Sequence, residues 1–127
     1  MQLKAEKKLF KTEVEHFLYP GPEEQFHFHK SDCKIGWIEG APKIFKTGKK
    51  VYVLTVFEVL EKHRGNGYSL EMLNYIHMEY KCPVVPVKVH NVEYWDHALS
   101  KYGDDFFLHA PLSNHEFDEE VQHWKRH

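Results

Sequence analysis

The chain has 127 residues, of which 42% are hydrophobic and 28% are charged, and its formal net charge at pH 7 is −2. This length is typical of one domain with one apolar core, so we expect residues 1–127 to fold as a single unit. Lys and Arg are scattered along the chain, which argues against nucleic-acid binding because such binding needs a basic face. No apolar run approaches the roughly 20 residues of a membrane-spanning helix.

Two further features favour a cytoplasmic protein. The residues from Met1 to Lys11 alternate charged and apolar positions, so we expect no secretory signal. Cys33 and Cys82 lie far apart and lack the spacing of a metal site or a redox motif. We therefore expect two reduced thiols.

The first half of the chain predicts one helix followed by several strands. Apolar positions on one face predict an amphipathic helix from Leu3 to Leu18. Residues Gln25 to His29 alternate, with two phenylalanines on one side and two histidines on the other, as in a half-buried strand. Two further strands, Ile35 to Glu39 and Lys43 to Phe45, flank Gly40-Ala41-Pro42, which we interpret as a hairpin connection.

The next elements predict a strand–helix–strand unit. The run from Lys50 to Leu60 is apolar on both faces and therefore belongs in the middle of a sheet. Helical spacing follows from Leu70 to Tyr80, and Pro83 ends this helix and opens a strand from Val84 to Val89. A unit this compact predicts a parallel pair of strands with a right-handed crossover.

The last third of the chain predicts two helices around a short strand. Asn91 can cap a helix that runs to about Tyr102 and stops at Gly103. Phe106 to His109 is a candidate short strand, and Ser113 to Glu116 has the spacing of a capping box that begins a final helix. The expected fold class is therefore α/β, with an antiparallel meander, a parallel strand–helix–strand unit in the same mixed sheet, and flanking helices.

The segment Arg64-Gly65-Asn66-Gly67-Tyr68-Ser69 joins the central strand to its helix and has the character of an anion site. The first N–H groups of a helix lack partners, and the helix dipole makes this end electropositive. Glycines let a phosphate approach the backbone, and Arg64 adds a cation. The alternative interpretation is a tight turn whose glycines serve only the backbone geometry.

From about Val51 to Gly103 the chain resembles the GNAT superfamily of N-acetyltransferases. That family's central motif is an apolar strand, then Val-x-Pro-x-Tyr-Arg-Gly-x-Gly-x-Gly or Ala, then an amphipathic helix. Val59, Arg64, Gly65 and Gly67 match this motif.

Other positions either depart from the family pattern or extend it. Glu61 stands where the family usually has Pro, His63 where it has an aromatic residue, and Ser69 where it has Gly or Ala. The segment Val87-x-Val89-His90-Asn91 resembles the family's second parallel strand, which ends in Asn. Lys101-Tyr102-Gly103 resembles the end of the following helix.

The resemblance implies a fold, a substrate and an activity. The fold would be GNAT-like, with acetyl-coenzyme A in the cleft between two diverging strands and an acetyl group passed to a primary amine of a small molecule or protein. The pantetheine amides would pair with the strand backbone from Phe57 to Leu60, and the pyrophosphate would bind the amides from Arg64 to Ser69. The expected cofactor-binding residues are Val59, Leu60, Arg64, Gly65, Asn66, Gly67, Tyr68, Ser69 and Asn91.

Catalysis needs a proton acceptor for the amine and a proton donor for the leaving thiolate. Glu58, a carboxylate within the central strand, is the candidate base, although it could instead pair with a Lys or Arg. In many family members the tyrosine that donates this proton lies four residues before the glycine that ends the second helix. Here that position is Leu99. Tyr94 and Tyr102 are nearby but out of register.

Two alternative functions stay open at this point. A domain of the same fold could bind coenzyme A or another protein without catalysis, as the absence of a tyrosine at Leu99 suggests. Eleven histidines, with His27 and His29 on one strand face, could instead form part of a metal site, although no third ligand has a fixed spacing. We therefore expect no metal.

Overall fold

The computed structural model describes residues 3–11, 22–87, 92–103 and 107–126. The strands are β1 (Lys4–Lys11), β2 (Pro22–Lys30), β3 (Cys33–Ile44), β4 (Lys50–Val59) and β5 (Val84–Pro86). A 3-10 turn spans Glu61–His63, and the helices are α1 (Tyr68–Tyr80), α2 (Val92–Tyr102) and α3 (Asn114–Arg126). No helix in the described part of the chain has the length and apolar character needed to cross a bilayer.

The five strands form one mixed sheet in the order β1-β2-β3-β4-β5. β1 to β4 are an antiparallel meander, and β5 lies parallel to β4 after the intervening helix α1. The α/β class and the predicted arrangement, an antiparallel meander with a parallel strand–helix–strand unit in the same mixed sheet, are therefore confirmed. The interior position predicted for the Lys50 to Leu60 run is also confirmed, because β4 lies between β3 and β5.

One face of the sheet packs against α1. Phe26 and Phe28 of β2 are buried there, as their alternation predicts, and they contact the ring of Tyr75 at centroid distances of 5.9 Å and 5.6 Å. Met72, Leu73 and Ile76 of α1 are fully buried against them. Their spacing of one, three and four residues places all three on the same side of the helix.

The opposite face packs against α3 at one end of the sheet. Phe117, Val121 and Trp124 are buried among the valines of β4 and β5. The indole N–H of Trp124 donates to the carbonyl oxygen of Ile44 at 2.8 Å, and the backbone N–H of Lys46 donates to Glu120 at 2.9 Å. These two bonds attach α3 to the turn between β3 and β4.

The predicted helix from Leu3 to Leu18 is wrong for the residues that the structure describes, because Lys4–Lys11 is strand β1. Each of its eight residues lies opposite a residue of β2, with Ala5 opposite Phe28 in the register. The backbone hydrogen bonds of a sheet edge and the apolar surface of β2 override a weak local helix preference. The rest of the predicted helix, residues 12–18, lies outside the described residues.

The predicted hairpin at Gly40-Ala41-Pro42 is also wrong, because β3 continues through it without interruption. A Cβ atom at Gly40 would lie 2.2 Å from the carbonyl oxygen of Val53, so this glycine allows close strand approach rather than a turn. The pairing of β3 with β2 ends at Gly40. Pro42 lies beyond that point, so its lack of a backbone N–H costs no hydrogen bond to β2. The hairpin turn lies instead at residues 45–49, where Gly48 has φ = 93°.

Of the C-terminal predictions, the two helices α2 and α3 are confirmed, whereas the two predicted strands are shorter than expected. β5 is shorter than the predicted Val84 to Val89, and residues 88–90 and Asn91 lie outside the described residues. Within the predicted Phe106 to His109 strand, the described residues contribute one parallel bridge, from Leu108 to Val84.

The predicted capping box at the start of α3 is present. Ser113 Oγ accepts from the backbone N–H of Glu116 at 3.1 Å, and Glu116 accepts from the N–H of Ser113 at 2.9 Å. The hydrogen bonds from Ser113 lower the pKa of Glu116. The resulting stabilisation is therefore present above the ordinary pKa of a glutamate and is lost as the pH falls through the lowered value.

Replacing Ser113 by alanine tests this cap. Ser113→Ala should lower the free energy of unfolding at neutral pH by about 1 kcal/mol, because one first-turn N–H loses its acceptor. Urea unfolding followed by circular dichroism measures this loss. Ser100→Ala is the matched control, since Ser100 is also exposed and helical but lies inside α2, and its change should stay within about 0.5 kcal/mol. Equal losses for the two variants would contradict the assignment.

Candidate functional site

The site begins at a β-bulge in β4. Gly40 lies opposite Leu54 and Glu39 opposite Val56, so Thr55 is one extra residue on β4. Its hydroxyl donates to the carbonyl oxygen of Glu39 at 3.1 Å. Such an extra residue exchanges the faces that the following side chains occupy.

The bulge decides which side chains of β4 contact the α1 face. Before it, Tyr52 and Leu54 belong to the core beneath α1, and after it Phe57 and Val59 pack against the same core. Glu58 therefore lies on the opposite face of the sheet.

The described pairing of β4 with β5 ends at the same point. Their pairing covers only Tyr52 to Leu54, and the last bond runs from the N–H of Val87 to the carbonyl oxygen of Leu54 at 3.1 Å. The N–H of Leu60 donates to β3, so the backbone groups of Phe57 and Val59 point away from β3. Within the described residues, this edge of β4 has no strand partner beyond Leu54.

A cleft of about 560 Å³ lies next to the last described pairing of β4 with β5. β4 contributes Phe57, Glu58 and Val59 to its walls, the loop and first turn of α1 contribute Arg64, Gly65, Gly67, Tyr68 and Ser69, and α2 contributes Tyr94 and Trp95. The strand end, the predicted anion segment and one of the candidate tyrosines therefore meet in one cavity.

The loop presents the N-terminus of α1 to this cleft. Gly65 and Gly67 have φ values of 82° and 79°, a backbone region that other residues rarely adopt. Gly67 is the N-cap of α1 and supplies no side chain, so the first-turn N–H groups receive no side-chain cap. A Cβ atom at either glycine would meet no protein atom within 4 Å. The two glycines therefore provide both the positive φ values of this loop and open access to its backbone.

Arg64 and Glu58 form an ion pair at the edge of the cleft. Nη2 of Arg64 donates to Oε1 of Glu58 at 2.7 Å, and Nε donates to the carbonyl oxygen of Val59 at 2.9 Å. The side chains of Arg64 and Glu58 are 58% and 41% exposed. Glu58 thus makes the arginine contact that was the alternative to a catalytic role, and its function as a base stays a prediction.

Among the three positions considered for a general acid, Tyr94 lies in the cleft. Its ring is 6.2 Å from that of Phe57, and burial raises the pKa of its hydroxyl while a hydrogen bond with Ser69 acts in the opposite direction. Tyr102 packs on Phe107 at 4.9 Å, and Leu99 packs against the core beneath α1.

The predicted cofactor-binding residues divide into three groups. Those that line the cleft are Val59, Arg64, Gly65, Gly67, Tyr68 and Ser69. Leu60 directs its N–H to β3, and the amide of Asn66 donates to the carbonyl oxygen of His63 at 3.2 Å, so both support the segment from within. Asn91 lies outside the described residues. That any of them contacts a cofactor stays a prediction.

His63 is a cleft residue that sequence reasoning noted only as a departure from the motif. Its ring lies edge-on to that of Tyr68 at 6.3 Å, and its Nε2 atom is buried and has no hydrogen-bond partner in the described part of the chain. Lys30 donates to the hydroxyl of Tyr68 at 3.0 Å and so ties the β2–β3 hairpin to the start of α1. In the sequence, the indication that His63 could belong to the site is its position directly before Arg64.

The histidine-rich strand face does not form a metal site among the described residues. His27 contacts the side-chain oxygen of Gln25 at 2.7 Å. A search of residues 3–11, 22–87, 92–103 and 107–126 finds no group of three or more His, Cys, Asp or Glu side chains placed to hold a metal ion. Cys33 is an exposed free thiol, and Cys82 is a buried one.

Comparison with known proteins gives matches only among solved structures. No protein-family model matches the sequence, and a search of curated proteins finds no match. Naa50 of Arabidopsis thaliana, solved with the bisubstrate analogue CoA-Ac-MVNAL, is 20% identical with a TM-score of 0.47, over 60% of this chain and 54% of that chain. A transcriptional regulator from Bacillus halodurans C-125 is 12% identical with a TM-score of 0.48, over 72% and 64%.

A third similar structure is ribosomal-protein-alanine N-acetyltransferase from Brucella melitensis biovar Abortus 2308. It is 14% identical with a TM-score of 0.41, over 80% of this chain and 61% of that chain. The chain thus spans 54% to 64% of the length of these three solved structures.

Proposed function

We propose that this domain binds acetyl-coenzyme A in the β4–β5 cleft and transfers its acetyl group to a primary amine of a small molecule or a protein. The observation that carries the proposal is the meeting, in one cavity, of a helix N-terminus without a side-chain cap and a β4 edge that has no strand partner beyond Leu54 among the described residues. The strand edge can pair with a chain of amides, and the helix N-terminus favours an anion. Pantetheine joined to a pyrophosphate combines both chemical groups.

Two neighbouring parts of the cleft fit the two parts of this ligand. The first-turn N–H groups of α1, opened by the glycines at 65 and 67, would hold the pyrophosphate. The backbone of Phe57 and the N–H of Val59 would pair with the pantetheine amides, as their orientation away from β3 allows; the carbonyl oxygen of Val59 already accepts from Nε of Arg64. Binding of this kind depends on main-chain groups, so it makes few demands on side-chain identity.

Acetyl-coenzyme A supplies an acetyl thioester, and the chain must orient the amine, polarise the carbonyl and manage two protons. A backbone N–H near Val59 would donate to the thioester oxygen as the amine nitrogen forms its bond to the carbonyl carbon. Glu58 would accept the proton that the amine loses. Tyr94 would donate a proton to the thiolate when the carbon–sulfur bond breaks; a tyrosine hydroxyl is protonated at neutral pH, and burial raises the pKa of this one further.

A second candidate function is coenzyme A binding without acetyl transfer. It is favoured by the ion pair that holds Glu58 and by Leu99, which stands where the family's tyrosine is expected. Both functions predict binding of the cofactor. Only the first predicts release of a thiol when an amine is added.

Titration with acetyl-coenzyme A tests the proposed function. Because a ligand of the folded state stabilises it by mass action, a concentration of one hundred times Kd should add about 2.7 kcal/mol and raise the melting temperature. Thiol release measured across a panel of primary amines then separates transfer from binding alone. Saturating ligand with neither a melting shift nor heat in calorimetry would exclude both candidates, and binding without thiol release for any amine would favour the second.

Two substitutions at Gly67 test where the pyrophosphate binds. Gly67→Asn and Gly67→Asp have nearly the same shape, both tolerate a positive φ better than most residues, and both are good N-cap residues. Only aspartate places a negative charge at the N-terminus of α1. Calorimetry should show that the aspartate variant binds coenzyme A about tenfold or more weakly than the asparagine variant, because the added carboxylate repels the negative charge of the pyrophosphate. Equal affinities would refute this location.

Steady-state kinetics over a range of pH tests the two proton-transfer roles. Glu58→Gln should lower kcat about a hundredfold, the usual scale of general base catalysis. Tyr94→Phe should lower kcat and remove the fall in rate at high pH, since the donor must be protonated. Tyr102→Phe is the control, because Tyr102 packs in the core rather than in the cleft. Rates within a few-fold of the wild type would show that proximity alone carries the reaction.

A further inference from the structure

We infer that Arg64 exchanges partners during the reaction cycle. In the free protein its guanidinium holds the Glu58 carboxylate, and on binding of coenzyme A it moves to the pyrophosphate and releases Glu58. This inference rests on the proposed function of the cleft. It makes binding of the cofactor a precondition for the action of the candidate base.

The pair places one cation on Glu58 and directly before the glycines that open the N-terminus of α1. Arg64 directly precedes Gly65, the first of the two glycines that open the α1 N-terminus, and it reaches back to Glu58 at 2.7 Å. Its Nε bond to the carbonyl oxygen of Val59, at 2.9 Å, anchors the side chain at the strand end. Arg64 is therefore the residue directly before the loop amides, while Nη2 of its guanidinium donates to the Glu58 carboxylate.

The exchange is favourable because a pyrophosphate is a stronger acceptor for a guanidinium than the Glu58 carboxylate is. The Glu58–Arg64 pair is about half exposed on both sides, and ion pairs of this kind contribute little because water screens them. A pyrophosphate carries more than one negative charge, accepts bidentate hydrogen bonds from a guanidinium, and is bound by the amides of α1 at the same time. The stronger acceptor should therefore take the arginine.

The exchange also changes what Glu58 can do. While Nη2 of Arg64 occupies Oε1 of Glu58, that oxygen already accepts a charged donor and competes poorly for an ammonium or an amine N–H. Loss of this donor leaves a carboxylate on the face of the sheet opposite α1. The side chains of Phe57 and Val59 pack against the core on the α1 face, so the Glu58 face is the more open approach for an acceptor.

Calorimetric titration of two ligands into three proteins, the wild type and two variants, tests the exchange. Coenzyme A carries the pyrophosphate, whereas pantetheine has the same amides and no phosphate. Glu58→Gln removes the competing charge, so it should tighten coenzyme A binding about two- to fivefold and leave pantetheine binding unchanged. Glu61→Gln, an exposed carboxylate of the same segment, is the control for a general loss of negative charge and should change neither affinity.

A double-mutant cycle isolates the role of Arg64. In an Arg64→Gln background, Glu58→Gln should no longer tighten coenzyme A binding, and an equal gain there would overturn the inference in favour of simple repulsion. Unchanged or weaker coenzyme A binding by Glu58→Gln, or equal tightening of pantetheine, would overturn it as well while leaving the proposed function intact. If the wild-type protein binds no coenzyme A, the proposed function fails and the exchange fails with it.

Discussion

The extra residue at Thr55 is the constraint on which the rest of the site depends. Without it, strict alternation would continue from Tyr52 and Leu54 to Val56 and Glu58, and a carboxylate would point into the apolar core beneath α1. Burial of an unpaired carboxylate is strongly unfavourable. The bulge instead directs Phe57 to the core and Glu58 to the other face, and it does so where β5 stops pairing with β4.

The two halves of β4 are held in different ways, and this difference positions the cleft. The first half pairs with strands on both sides and is covered by α1 on one face and α3 on the other. Trp124 and Glu120 bind the preceding turn, which fixes the start of the strand. The second half keeps only β3 as a strand partner among the described residues. Within the described residues, the second half of β4 thereby has one edge without a strand partner, and an edge of this kind can pair with a ligand that binds as an additional strand.

The sequence predicted the elements that local rules define, and it missed those that depend on tertiary pairing. The tight glycine turn at Gly65 and Gly67 and the cap at Ser113 follow from the sequence because glycine conformation and capping spacing are local properties, whereas anion binding by the segment from Arg64 to Ser69 stays a prediction. β1 was mistaken for a helix because its pattern fits both periods and only pairing with β2 decides between them. The bulge could not be predicted because β4 is apolar on both faces, so a change of face leaves no signal in its pattern.

The departures from the GNAT motif matter less than their number suggests, because most of the cleft is made of backbone. Glu61 is exposed in the 3-10 turn, and Ser69 lies in the first turn of α1, where a small residue still leaves the amides open. The positions that backbone geometry does restrict are Gly65 and Gly67, since their positive φ values disfavour almost every other residue. His63 is the departure with a chemical consequence, because it adds a buried ring nitrogen to the cleft wall. The loop can therefore keep its backbone geometry while its side chains vary.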